Sequence, residues 1–268
     1  MKLHKAAARL AGWELQHIRK DQPTLETHLR QLLPKLGIDC VLDVGANQGQ
    51  YGRMLRKAGY KGRIVSFEPV NETFHILKSH ADKDGGWRVN NYALGAKAGE
   101  STIHVTRATI LSSFREPNAF SKEKYAWGMP IVRDEKVKIR TLDEVFEESL
   151  AGLKSPKVFL KMDTQGFDLQ VFAGAKRSLP QVVGMQSEIS IQPIYEGVPD
   201  YLEALEVYTK AGFVMSGLYP VSRDKETLAL IELDCVMRRV GSPEATSRPP
   251  SPKKSISAKP ASKKTSRK

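Results

Sequence analysis

The chain has 268 residues, of which 40% are hydrophobic, so it can bury a sizeable core in one large or two small domains. No segment reaches the apolar length that a membrane-spanning helix needs, and the first residues contain no secretory apolar stretch. Two cysteines, Cys40 and Cys235, are too few for a cysteine-based zinc site. We expect both to be small core residues in a reducing, cytoplasmic compartment.

The net charge of +12 is unevenly distributed along the chain. Residues 242–268 contain eight Lys or Arg and one Glu, which account for +7, so the rest of the chain is only mildly basic. Pro, Ser, Lys and Ala dominate this segment, which predicts a disordered basic tail. Such a tail can contact an anionic partner, and a solvated tail without a partner is the alternative.

Two helical patterns open the chain. Residues 1–20 place apolar side chains near one side of a helix with basic residues elsewhere, and residues 24–36 repeat leucines at helical spacing up to Gly37. We therefore predict an N-terminal helical cap over residues 1–36, followed by one domain over residues 37–241. A membrane-surface role for the first helix is an alternative, because basic residues surround its tryptophan.

A strand, a glycine turn and a helix are predicted after this cap. Val41 to Val44 is an apolar run interrupted only by Asp43, and Gly45 and Gly49 follow before a helical pattern begins. Glycine tolerates positive φ and lets a ligand approach the backbone, while the first helical turn leaves N–H donors free. Asp43 either accepts N–H bonds from this turn or, together with the turn, holds a small cationic or zwitterionic group.

A second apolar strand ends about 20 residues later, where Glu68 and Pro69 follow Phe67. An acid at this strand tip can accept hydrogen bonds from both ribose hydroxyls of a nucleoside. The spacing Gly45-x-x-x-Gly49-x-x-Gly52 differs from the G-x-G-x-x-G dinucleotide pattern, and no P-loop Gly-Lys-Ser/Thr follows it. The glycine spacing therefore disfavours a nicotinamide dehydrogenase.

The remaining pattern alternates helices and strands, which favours a mostly parallel sheet with helices on both faces. Up to residue 136 it predicts a helix over 71–80 capped by Asn71, strands over 87–94 and 99–106, and an irregular segment over 107–136. We interpret that segment as a substrate lid. After it come strand 137–142, helix 143–150, strand 156–163, a helix opened by Gly166, strand 181–189, helix 201–211, and the closing strands 213–218 and 228–237.

Three motifs resemble those of the FkbM-type methyltransferases and occur in the family's order. They are Val41–Tyr51, with the D-x-G-x-x-x-G form, Ser66–Pro69, and the Lys-x-Asp-x-x-Gly-x-Asp run Lys161–Asp168. The resemblance implies a Rossmann-like class I methyltransferase fold, α/β, with a seven-stranded, mostly parallel sheet and a reversed last strand. It also implies S-adenosylmethionine as cofactor, bound by Asp43, Gly45, Ala46, Asn47, Gly49, Tyr51, Glu68, Pro69, Asn91, Ala93, Leu94 and Asp163.

Asp163 and Glu188 are the candidate catalytic residues, because ligands bind outside the carboxyl ends of parallel strands. Asp163 can serve as the base for an oxygen nucleophile or as a ligand to the cofactor amine. Asp168 is a weaker candidate, since its place in a first helical turn also fits a charge–dipole role. Thr164 and Gln165 replace the family's more frequent Val-Glu, which removes a carboxylate. Asp163 and Glu188 could also hold Mg²⁺, but no third oxygen ligand can be named, so we predict no metal site.

The resemblance therefore implies methyl transfer to a hydroxyl of a small molecule or glycan: a sugar, a glycan or a secondary metabolite. A nucleic-acid methyltransferase that uses the basic tail as an electrostatic arm is one alternative. A non-catalytic binding protein on the same fold is another. The sequence lacks the Asn/Asp-Pro-Pro-Tyr/Phe tetrapeptide of enzymes that methylate base amines, which disfavours the first. The intact Asp43–Gly49 and Glu68 motifs disfavour the second.

Overall fold

A computed structural model describes residues 23–241 of the protein, and residues 1–22 and 242–268 lie outside the described part. Its strands are β1 (Cys40–Val44), β2 (Arg63–Phe67), β3 (Trp87–Asn90), β4 (Ala93–Leu94), β5 (Gly99–Thr106), β6 (Ile131–Arg140), β7 (Val158–Met162), β8 (Val182–Ser190), β9 (Phe213–Arg223) and β10 (Leu230–Arg239). Its helices are α1 (Leu25–Leu36), α2 (Gln50–Lys57), α3 (Asn71–Ala81), α4 (Ala119–Lys124), α5 (Leu142–Leu150), α6 (Asp168–Ala173) and α7 (Tyr201–Lys210), with short 3₁₀ turns at Thr109–Leu111 and Leu179–Gln181.

Within residues 23–241 the main sheet has seven strands, in the order β3-β2-β1-β7-β8-β10-β9. The first five of these run parallel, and β10 is antiparallel to both β8 and β9. Every residue of β1 and of β7 is buried, as expected for central strands covered on both faces. The predicted mostly parallel sheet with a reversed last strand is confirmed.

Helices cover both faces of this sheet because successive strand residues point to opposite sides. Leu42 belongs to a buried cluster with Phe146 of α5 and Tyr208 of α7. Its neighbour Val41 belongs to a second cluster with Leu55 of α2 and with the leucines of α1. The strand ends between these two layers are where polar side chains from different strands can converge.

A separate sheet in the described part has the order β4-β6-β5 and corrects two predictions. The strand predicted over 87–94 ends at Asn90, because Ala93 and Leu94 leave the main sheet and pair with β6. The segment predicted as irregular over 107–136 contains the turn at Thr109–Leu111, helix α4 and the start of β6 at Ile131. Most of β6 is exposed and charged, so it lacks the apolar alternation that reveals a half-buried strand.

One predicted helix cap and two predicted helix starts differ from the structure. Asn71 is the first residue of α3 rather than its cap, and the cap position is Val70, whose N–H donates to Glu68 Oε1 at 2.9 Å. Helix α5 begins one residue early because Thr141 and Glu144 form a reciprocal capping box. Helix α6 begins after Gly166, whose φ of 84° lies in the left-handed region.

Helix α1 agrees with the helical pattern over 24–36, and Gly37 ends it in a left-handed conformation with φ 64°. The predictions of a helix over residues 1–20 and of a disordered tail over 242–268 fall outside the described residues. Among the helices of residues 23–241, none is both long and apolar enough to cross a bilayer.

Candidate active site

A cavity of about 560 Å³ lies at the carboxyl ends of the parallel strands. One wall is formed by the turn after β1 and by the end of β2, and the other by residues that follow β7 and by β8. The segment from Thr109 to Trp127 and the strands β9 and β10 complete the lining. This is the position at which open α/β sheets bind their ligands.

Most of the residues that the sequence predicts for the site line this one cavity, although they come from five separate stretches of the chain. They are Gly45, Ala46, Asn47, Tyr51, Glu68, Pro69, Ala93, Leu94, Asp163 and Glu188. Three predicted cofactor contacts, Asp43, Gly49 and Asn91, are not part of the lining. Each of these three instead contacts residues that form the walls.

Asp43 is completely buried beside a buried cation of the chain itself. Lys161 Nζ lies 3.1 Å from Asp43 Oδ1, and Ser66 Oγ donates to Asp43 Oδ2 at 3.0 Å. The same ammonium donates to Gly45 O at 3.0 Å and lies 3.5 Å from Asp163 Oδ2. Burial alone would lower the pKa of Lys161, but the Asp43 and Asp163 carboxylates outweigh burial and raise it, so the ammonium stays charged.

The turn after β1 needs glycine at its first position because two strands approach closely there. Gly45 has φ 74°, and a Cβ at this position would lie 2.0 Å from the carbonyl oxygen of Asp163. The amides of Gly45 and Ala46 both donate to Phe67 O at 3.1 Å. These contacts fix the turn against the ends of β2 and β7.

Glu68 joins the turn to the start of α3. Its Oε2 accepts from the backbone N–H of Asn47 at 2.8 Å, and its Oε1 accepts from Val70 N–H and the Thr73 hydroxyl, each at 2.9 Å. Burial raises the pKa of Glu68, while these hydrogen bonds and the charge of Lys161 oppose the rise. The carboxylate is therefore held in one orientation by three donors.

Gly49 and Asn91 support the walls from outside the cavity. A Cβ at Gly49 would lie 2.9 Å from Leu77 and 3.0 Å from Trp87, so glycine lets the start of α2 pack on these side chains. Asn91 donates through its side-chain amide to Glu68 O at 3.0 Å and to Pro69 O at 3.1 Å. Both residues thus stabilise the backbone around Glu68 or the turn.

Asp163 and Glu188 face the cavity from neighbouring strands and share one neutral partner. Gln165 Nε2 donates to Glu188 Oε2 at 2.9 Å and to Asp163 Oδ1 at 3.3 Å. The Asp163 side chain is 38% exposed. Burial first, and then the charge of Asp163, raise the pKa of Glu188 well above its usual value.

Asp168 lies behind the cavity rather than on it. Its carboxylate accepts from the N–H and the hydroxyl of Thr164, from Ser187 Oγ at 2.8 Å, and from Glu188 N–H at 3.1 Å. Burial raises the pKa of Asp168, and the Thr164 and Ser187 bonds oppose that rise. This carboxylate ties the turn after β7 to β8.

Two further acids, Glu232 and Asp234 on β10, line the same cavity and were not predicted from the sequence. Burial raises the pKa of Glu232 to about 7 and that of Asp234 to about 6. Asp234 accepts from Gln186 at 2.9 Å, and Gln186 in turn accepts from the Tyr51 hydroxyl at 3.0 Å. The alternation of acids with Leu233 was the available signal, and it required knowing that β10 is reversed.

The magnesium alternative gains no third ligand in the structure. Among the His, Cys, Asp and Glu residues of the described chain, no group of three or more is arranged to hold a metal ion. Asp163 and Glu188 are bridged by the Gln165 amide, which is a donor at both contacts.

The strand order, with the glycine turn and its neighbouring strand-end acid, defines the class I methyltransferase fold. A sequence profile of the Methyltransferase FkbM domain matches residues 43–215, well over half of the chain. The chain therefore belongs to the FkbM methyltransferase family.

Individual relatives are distant. The 2-O-methyltransferase NoeI of Sinorhizobium fredii is 28% identical over 192 residues, which cover 67% of this chain and 75% of NoeI. The crystal structure of methyltransferase FkbM from Methylobacillus flagellatus matches 74% of this chain at 15% identity and a TM-score of 0.43, and this chain spans 43% of its length. Fibrillarin from Aeropyrum pernix, with natively bound S-adenosyl-L-methionine, matches 88% of this chain and 74% of its own at 11% identity and a TM-score of 0.40.

Proposed function

We propose that this protein is an S-adenosylmethionine-dependent methyltransferase that methylates a hydroxyl oxygen of a sugar, a glycan or a secondary metabolite. One observation carries the cofactor assignment: the hydrogen bond of 2.8 Å from Asn47 N–H to Glu68 Oε2. It joins the glycine turn and the strand-end acid into one wall of the cavity that Asp163 also lines. The oxygen acceptor is supported by the similarity to NoeI, which is described as a 2-O-methyltransferase.

The residues present fit this cofactor. The cavity of about 560 Å³ lies within the ~300–1,000 Å³ of small-molecule sites. An ionised carboxylate has about four acceptor positions, and Glu68 uses three of them on donors of the chain. One position on Oε2 is left for a ribose hydroxyl. The cavity lining also contains five acids against Lys161, a balance that favours a cationic sulfonium: Glu68, Asp163, Glu188, Glu232 and Asp234.

The predicted cofactor contacts divide by position in the cavity. Gly45, Ala46 and Asn47 would lie along the amino-acid part, Glu68 and Pro69 at the ribose, and Ala93 and Leu94 beside the adenine. Asp43, Gly49 and Asn91 would act indirectly, by fixing these residues.

When bound, the cofactor supplies a methyl group on a positively charged sulfur, which an acceptor oxygen displaces in line. The chain contributes alignment, which can supply about 7–11 kcal/mol, and removal of the acceptor proton, typically a ~10²–10⁴-fold effect. We assign the acceptance of that proton to Asp163, because its side chain is partly exposed and lines the cavity. Glu188 lines the same cavity and is the second candidate catalytic residue.

Calorimetric titration tests the cofactor assignment. The protein should bind S-adenosylhomocysteine and should not bind NAD, and binding of NAD alone would refute the proposal. The acceptor can then be sought by incubating the protein with S-adenosylmethionine and pools of hydroxylated compounds, with mass spectrometry as the readout for the gain of one CH₂ unit. Nucleic acid in the same screen, with and without residues 242–268, tests the alternative acceptor.

A further inference from the structure

We propose that Gln165 is the positioning residue that holds Asp163 and Glu188 toward the point of methyl transfer. This inference rests on the proposed function, because it assigns that point to the end of the cavity that these two acids line. Gln165 lines the cavity between them.

The Gln165 amide is arranged to serve both acids at once. A carboxamide nitrogen carries two protons, and here they are directed to Glu188 Oε2 at 2.9 Å and Asp163 Oδ1 at 3.3 Å. The amide oxygen lies 2.7 Å from the Tyr195 hydroxyl, whose single proton is shared between this oxygen and Leu111 O at 2.8 Å. The two carboxylates are acceptors, so they require the NH₂ end of the amide to face them.

The backbone of Gln165 is also held in place. Its φ of 53° is left-handed, which few residues other than glycine, asparagine and aspartate adopt readily. Ser113 Oγ donates to Gln165 O at 2.7 Å, and Arg115 Nε donates to Gly166 O at 2.8 Å. Backbone strain of this kind persists where the surrounding structure holds it, and here the hydrogen bonds donated by Ser113 and Arg115 hold it.

A neutral donor is needed at this place because the surroundings are acidic. Acids reach this place from three neighbouring strands: Asp163 after β7, Glu188 on β8, and Glu232 and Asp234 on β10, with Asp168 behind them. Lys161 is already paired with Asp43. Carboxylates at such short range repel each other, and a bridging amide reduces that repulsion while fixing both groups. A glutamate at this position would offer only acceptors, whereas Gln165 supplies two N–H donors.

Two cofactor analogues can measure this positioning without a known acceptor. S-adenosylhomocysteine lacks the transferred methyl group, whereas sinefungin has a carbon in place of the sulfur and a protonated amine in place of the transferred methyl group. Correctly placed carboxylates should therefore favour sinefungin, through a charge-assisted hydrogen bond at the transfer point. The measured quantity is the ratio of the dissociation constant of S-adenosylhomocysteine to that of sinefungin, obtained by calorimetry.

We expect this ratio to be well above one in the wild-type protein and to fall about tenfold in Gln165→Leu, which keeps the size of the side chain but removes the donor. Gln170→Leu, on α6 outside the cavity lining, is the matched control and should keep the wild-type ratio. If Gln165→Leu does not fold, Tyr195→Phe replaces it, because loss of the hydroxyl releases the amide oxygen and should lower the ratio to a smaller extent.

The outcomes separate the inference from the proposed function. Failure of the wild-type protein to bind either analogue refutes the proposed function. Binding of both analogues with a wild-type ratio near one, or with the same ratio in Gln165→Leu and Tyr195→Phe, refutes the inference alone. A fall in the ratio confined to these two variants supports it.

Discussion

Lys161 Nζ lies 3.1 Å from Asp43 Oδ1 between β1 and β7, where the two side chains are 3% and 0% exposed. The parallel register of the two strands places these residues side by side. The cation that Asp43 holds is therefore part of the chain itself. The Lys161 ammonium also donates to Gly45 O and pairs with Asp163, so it connects the turn after β1 with the candidate base.

Lys161→Met should be strongly destabilising, because it leaves the buried Asp43 carboxylate without its partner. Removing one member of a buried ion pair costs about 3–5 kcal/mol, whereas replacing both members is often far less costly. Asp43→Asn/Lys161→Met should therefore recover most of the loss in the free energy of unfolding. Urea denaturation at neutral pH measures both proteins, and losses that simply add in the double variant would contradict the pairing.

Glu68→Gln should weaken S-adenosylhomocysteine binding about 10–100-fold. The amide keeps the size of the side chain, but it replaces one carboxylate oxygen with a donor, and hydrogen bonds to charged groups contribute about 1.5–3 kcal/mol. Because Glu68 Oε2 both holds Asn47 and has the remaining acceptor position, the turn and the ribose site change together.

The matched control for this variant is Glu72→Gln, which removes a charge from an exposed position in the first turn of α3. Calorimetry should show wild-type affinity in the control. An unchanged affinity in Glu68→Gln would show that this carboxylate does not bind the nucleoside.

The sequence predicts well those parts of the fold that are encoded by residues consecutive in the chain. β1, β2 and β7 are short, mostly apolar runs, as expected of strands that are buried on both faces. Once these strands are parallel neighbours, the residues that follow them must meet at one edge. The sequence therefore predicts that Glu68 and Asp163 line one cavity, as they do.

The features that the sequence does not reveal depend on contacts between distant segments. Nothing near Asp43 indicates that Lys161 will lie beside it, since that follows from the register of β1 and β7. Glu232 and Asp234 reach the cavity because β10 is reversed, which the local pattern of β10 does not encode. The sequence of the exposed strand β6 is too rich in charged residues to indicate a strand. Its pairing with β5 determines its structure.

Glu232 makes the stability of the protein depend on pH between about 4.5 and 7. Burial raises its pKa from 4.5 to about 7, so between these values the folded state binds a proton that the unfolded state has released. The stabilisation of the folded state that comes from this raised pKa is present in full below pH 4.5 and is lost as the pH rises through 7. The free energy of unfolding should therefore fall over this range, by up to about 3 kcal/mol from this group.

Glu232→Gln should flatten that fall, because an amide does not titrate. Ser222→Ala should move it to higher pH, since the Ser222 hydroxyl donates to Glu232 Oε2 at 2.9 Å and favours the ionised form. Urea denaturation at several pH values measures all three proteins. The same slope in wild type and in Glu232→Gln would assign the titration to another group.

Gly45→Ala should lower both the free energy of unfolding and the cofactor affinity. Gly59→Ala serves to separate the effect of a positive φ from the effect of a steric clash. Both glycines have positive φ, 74° and 95°, so alanine strains either one by about 1–2 kcal/mol. At Gly59 a Cβ meets nothing within 4 Å, whereas at Gly45 it would lie 2.0 Å from Asp163 O. Gly59→Ala should therefore show only the strain, with unchanged affinity for S-adenosylhomocysteine.

Gly45→Ala should lose a further ~1–3 kcal/mol, the usual cost of forcing extra atoms into a packed site. It should also bind S-adenosylhomocysteine more weakly, because the turn after β1 and the end of β7 must move apart to accommodate the alanine side chain. Urea midpoints and calorimetric titration of the two variants provide the comparison. Equal losses in both would mean that the glycine at position 45 serves only its backbone conformation, and that the close approach of Asp163 does not shape the cofactor turn.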